Sequence, residues 1–180
     1  MQSKSFGYLA LFAIAMVVAD AARAQSATAV EQVMVGISTQ SKRLDIALAE
    51  LDEIRKGLHG TDLENADRVA NAGRQFSGAV GEAAPVGLLL RHMKHSDDIQ
   101  FTRAILAISA SKAVIAADAD TRIINGLLPQ ISAPAVAVES AKIRDAILLT
   151  RNLLEGIVVT VAQNAPSPSE PDSRTAAVAR

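Results

Sequence analysis

Apolar residues recur at helical spacing from the thirtieth position onward. Val30, Ile37, Leu44, Leu51 and Leu58 fall seven apart, and Val33, Ala47 and Ile54 take the position three further on. Gln40 is the one polar interruption of the second series. Two apolar positions per seven residues form the seam of a helix lying at a shallow angle along another, as in a bundle or coiled coil. A glutamine in such a seam either fixes register or sits at a bundle edge, facing water. GLHG at 57–60 supplies glycine stops. Thr61-Asp62-Leu63-Glu64 follows as a capping box, in which the threonine hydroxyl and the glutamate carboxylate serve otherwise unpaired amides, so a second helix is expected from Thr61.

The pattern then loosens. Gly73, Gly78, Gly81 and Gly87, with Pro85, crowd one segment, and each glycine costs a helix interior about 1 kcal/mol relative to alanine. GAVGEAAPVG therefore reads as a joint, or as a close helix contact through small residues. A short helix from Pro85, which suits a first turn, would carry VGLLLRHMKH. The next begins near Ser96 or Asp97 and shows Phe101, Ile105, Ile108 and Ile115 at spacings of four, three and seven. It runs on to Asn125-Gly126, or breaks at ADAD and restarts under Thr121. After the linker LPQISAP, a final helix over about 135–163 presents Ile143, Ile147, Leu154, Ile157 and Val161 on one face, with Glu139, Lys142, Asp145, Asn152 and Glu155 largely elsewhere. IVVTV at 157–161 is β-branched but keeps the helical spacing, and no hairpin signal occurs. The expected fold class is all-α, a bundle of four to five helices.

The two ends of the chain follow other rules. Lys4 precedes an uncharged apolar run, Phe6 to Ala19, and Ala22-Arg23-Ala24 places small residues where signal peptidase reads them. This is the pattern of a secretory signal peptide cut after Ala24, with a run too short for a comfortable membrane span. The organisation expected is a signal peptide over 1–24, a helical domain over 25–164 and a disordered tail over 165–180, where APSPSEPDSRTAAVAR has little to bury. Location would be periplasmic or secreted, with no integral membrane segment after cleavage.

Composition narrows the function classes. The net charge is −1, and −2 without Lys4, Asp20 and Arg23, so no long-range field steers nucleic acid or an anionic surface to the protein. After Ala24 the only aromatic residues are Phe76 and Phe101, too few for base-stacking platforms or cation cages. Without cysteine there is no disulfide, thiol nucleophile or covalent haem, and the core alone must hold the fold. Gly-x-Ser-x-Gly, phosphate-cradling glycine loops, His-Glu-x-x-His and paired Glu-x-x-His are all missing. No catalytic residue or cofactor is assigned, and a non-enzymatic protein is expected. The acids Asp45, Asp52, Glu53, Glu139, Asp145 and Glu155 alternate with bases as on a solvated face with ion pairs such as Arg151 to Glu155.

RHMKHSDD, residues 91–98, is the densest chemistry in the chain. His92 and His95 are three apart, share a helix face and can ligate one copper or zinc ion, with Met93, Asp97 or His59 completing the shell. A plainer account covers more of the residues. Arg91, His92, Lys94 and His95 suit the negative C-terminal end of one helix, while Ser96, Asp97 and Asp98 suit the positive start of the next. Two cations beside the ion would also oppose binding. His59 in GLHG fits a solvated helix end. The function expected is protein–protein interaction or homo-oligomerisation through an apolar helix face. Metal binding by His92 and His95 is the alternative, and a small apolar ligand held between helices a third.

Overall fold

The computed structural model describes residues 31–89 and 96–163, and it is an all-α bundle of four helices. Helix α1 covers residues 31–55, α2 Gly60–Leu89, α3 Ser96–Leu127 and α4 Pro134–Gln163. A single 3-10 turn, Leu128–Gln130, joins α3 to α4. No strand occurs among the described residues.

Contacts fix the topology. A Cβ placed on Gly87 would meet the Met34 sulfur, and one on Gly73 would meet Leu48 and Leu44, so α2 runs back along α1. Arg151 on α4 reaches Asp118 on α3 at 2.6 Å, Lys142 reaches Glu50 on α1 at 3.1 Å, and Gly36 abuts Leu153. Each helix therefore lies antiparallel to its neighbours in an up-down-up-down ring, the arrangement that short connections favour.

The first turn of α2 also grips the α3–α4 connection. The Ser132 amide and hydroxyl donate to the two Asp62 carboxylate oxygens at 2.9 and 2.6 Å. These bonds, the hydroxyl's first, hold the Asp62 carboxyl below its ordinary pKa. The Asn65 amide donates to the Gln130 carbonyl at 3.4 Å.

The core draws on all four helices. Ile37, Leu44, Ala47, Leu48 and Leu51 come from α1, and Val69, Phe76 and Val80 from α2. Leu106, Ile124 and Leu127 come from α3, and Val136, Ile143, Ile147, Leu154 and Ile157 from α4. The α1 seam and the α4 face thus point inward as their spacing requires, with Leu58 and Val161 half-buried beside them. Gln40 is half-buried, and its Oε1 is enclosed without a hydrogen-bond partner.

Two expectations are corrected. The glycine-rich segment is not a joint and no separate helix starts at Pro85, because α2 continues unbroken through it to Leu89; the alternative, a close helix contact through small residues, holds at Gly87. Gly73 and Gly87 are buried and receive side chains from α1, while Gly78 and Gly81 meet nothing. Pro85 removes the donor for the Gly81 carbonyl, and both residues are exposed, so water can take the vacant acceptor. Glu139 is not on the solvated face either. It is 6% exposed, with Oε1 accepting from Lys142 at 2.7 Å and Oε2 unpartnered.

Candidate functional site

Helix α3 is unbroken across ADAD, and the face it packs is not the one that carries Phe101, Ile105, Ile108 and Ile115. Its buried positions are Thr102, Leu106, Ala110, Ala113, Ala117, Asp120, Thr121, Ile124 and Leu127, at spacings of three and four apart from the adjacent pair Asp120 and Thr121. Alanines fill the middle of that face, which lets neighbouring helices come close, since interaxial distance is set by the side chains at the contact. The stripe Phe101, Ile105, Ile108 and Ile115 lies on the opposite side. Phe101 is 68% exposed, Ile108 58% and Ile115 69%, and Ile123, at 41%, extends the row. Only 22% of the apolar stretch of α3 is buried within the bundle.

The row is nearly continuous. At 100° per residue, Phe101, Ile105, Ile108, Ile115, Ala119 and Ile123 fall within one sector, and Lys112 is the charge inside it. It runs for about 33 Å at 1.5 Å per residue. Exposed apolar residues elsewhere are scattered over several helices, as with Val35, Ile46, Val138 and Val159, which is ordinary for a soluble surface. By length and composition alone α3 also qualifies as a membrane-crossing helix. Counting uncharged runs does not reveal this, because Arg103 and Lys112 divide the sequence. The helix nevertheless has one face packed against α2 and α4.

Polar groups between the helices form ion pairs rather than a ligand cavity. Asp52 accepts from Arg55 within α1 and from Arg74 on α2, each at 2.7 Å, and Arg55 also pairs with Asp67. The Arg74 guanidinium holds the Asp52 carboxyl below its ordinary pKa. Asp52, Arg55, Lys56, Leu63 and Arg74 line a shallow depression near the turn that joins α1 to α2. Lys142 bridges Glu139 and Glu50, which raise its pKa, the Glu139 bond first. The expected Arg151–Glu155 pair forms at 2.9 Å, and Glu53–Lys56 and Arg144–Asp145 behave alike.

Buried polar groups are concentrated on α3 and α4. Asp120 is 1% exposed, its Oδ2 has no partner, and burial pushes its carboxyl up to about 6. Thr121 Oγ1 and Ser140 Oγ are likewise enclosed without partners.

The metal-candidate residues His92 and His95, with Met93, lie outside the described residues. Asp97 falls in the first turn of α3, and His59 is exposed between α1 and α2. Among the described residues no three His, Asp or Glu side chains gather as a metal-ligand set. The feature that sequence spacing left open is the direction of the α3 stripe. The signal for it was the alanine series Ala110, Ala113 and Ala117, a second apolar row opposite the first.

No protein-family model matches the chain, and no curated protein or solved structure matches it.

Proposed function

We propose that this is an exported, non-enzymatic helical-bundle protein that works by binding protein through the outer face of α3. The observation that carries the reading is the row Phe101, Ile108, Ile115 and Ile123, left in water with half-buried Ile105 beside them, while Ala110, Ala113 and Ala117 take the middle of the core face. A soluble chain that needed only stability would bury the large residues, since each gains about 1.5–3 kcal/mol on burial. Roughly 200 Å² for each fully exposed large residue gives the row on the order of 500 Å², at the upper end of the largest apolar patch on ordinary monomers. Export is supported by Lys4, the run Phe6–Ala19 and Ala22-Arg23-Ala24.

A photoreactive amino acid placed at Ile108, with one at Val159 on α4 as control, tests the reading in an envelope extract. Discrete protein adducts at Ile108 that Val159 does not give, and that Ile115→Asp abolishes without lowering Tm in dilute solution, are expected. Equal labelling at both positions counts against it.

A further inference from the structure

The exposed row on α3 is close to a palindrome. Ile108 and Ile115 are equidistant from a point beside Lys112, and so are Ile105 and Ala119, and Phe101 and Ile123, to within half a residue. Two α3 helices laid antiparallel about a two-fold axis at that point would set each large residue opposite an apolar one. Ile108 would meet the partner's Ile115, Phe101 the partner's Ile123, and Ile105 the partner's Ala119. A C2 interface requires such self-complementarity, because the same patch serves both subunits.

We infer that the occupant of this face is a second copy of the chain, paired antiparallel through α3 with Lys112 at the two-fold axis. The inference rests on the reading of α3 as a protein-binding face and names its partner. Covering the row on both copies removes on the order of 1,000 Å² from water, the lower limit for a specific interface. Pairing is therefore weak, in the micromolar range, and reversible. Lys112 adds to that weakness. The two ammonium groups meet near the axis, where their aliphatic stems can cover apolar surface while the charges reach water. A like-charge pair at the centre makes a diagnostic lever, because reversing one member turns repulsion into attraction.

The absence of native cysteine makes single-cysteine variants clean reporters of register. In the full-length chain after export, Lys112→Cys should cross-link to itself with a short bis-maleimide, since facing helix axes lie about 8–10 Å apart. Phe101→Cys alone should not, because its two copies would sit about 32 Å apart along the helix. A mixture of Phe101→Cys with Ile123→Cys should restore the link. Lys112→Glu mixed with the unmodified chain should give more than the statistical half of heterodimer. Self-linking of Phe101→Cys would mean parallel pairing and overturn the proposal.

A chain that stays monomeric by light scattering at about 100 µM, well above a micromolar Kd, overturns it as well. In that case the photo-adducts from Ile108 separate the two failures: adducts to a different protein leave the binding face standing with another partner, while their absence ends both. Flotation of the monomer with phosphatidylcholine vesicles, lost in Ile108→Asp, would assign the row to lipid and also end both.

Discussion

A buried carboxyl without a hydrogen-bond partner costs stability whenever it is ionised. Asp120 is such a group, with its carboxyl at about 6 against an ordinary 3.8. Because the folded state binds this proton more tightly than the unfolded chain, the Asp120 contribution to stability falls as pH rises from about 4 to 6, and the penalty is complete above that. Two pKa units correspond to on the order of 2–3 kcal/mol at neutral pH. Asp120→Asn should stabilise the protein by up to that amount at pH 7.5 and leave it nearly unchanged at pH 4, measured by urea unfolding at each pH. Equal effects at both would mean that ionisation is not what the site penalises. Asp52 acts with the opposite sign. Its carboxyl is held low by Arg74, so its contribution is present above the ordinary carboxyl pKa and fades as pH falls through the lowered one. Comparing variant with parent at each pH cancels Asp52 and isolates Asp120.

At the scale of the element, α2 separates two meanings of glycine that composition alone cannot. A Cβ on Gly73 would lie 2.9 Å from Leu48 Cδ2 and 3.2 Å from Ile143 Cγ2, whereas one on Gly78 meets nothing within 4 Å. Gly78→Ala should therefore raise stability by about 0.5–1 kcal/mol through helix propensity alone. Gly73→Ala should lose that gain to overpacking, which costs about 1–3 kcal/mol, and the pair of chemical denaturation curves reads the contrast. The same helix shows why its continuity was illegible in the sequence: propensity favours a break near Gly78–Gly87, and tertiary contacts at Gly73 and Gly87 override it. Helices α1 and α4 were legible because Ile37, Leu44 and Leu51, and Ile143, Ile147 and Leu154, are large and lie on one side only. Helix α3 carries two apolar rows on opposite sides, an outer one of large residues and an inner one with alanines at its middle and Leu106, Ile124 and Leu127 towards its ends. Periodicity finds both and cannot say which faces inward. The interaction face was thus visible as a pattern, and its exposure was not.

At the scale of the whole molecule, self-pairing through α3 couples stability to concentration. If folded chains pair and unfolded chains do not, a tenfold rise in concentration above Kd adds RT ln 10 per dimer, about 0.7 kcal/mol per protomer. For a chain of this size 1 kcal/mol moves Tm by about 2–4 °C, so each decade should raise Tm by about 1.5–3 °C. Below Kd the curve should flatten. The double variant Ile108→Asp/Ile115→Asp replaces two residues that are 58% and 69% exposed and touches none of the buried α3 positions, so the monomer fold should survive. Its Tm should match that of the parent at the lowest concentration and stay level throughout, with unchanged helical circular dichroism. A parent Tm as level as the variant's would show that folding is not linked to association. A variant that unfolds outright would mean instead that the outer row supports the bundle itself. The measurement discriminates because the two faces of α3 make different contributions: the inner alanines set how closely α2 and α4 approach, and the outer isoleucines contribute only when a second α3 covers them.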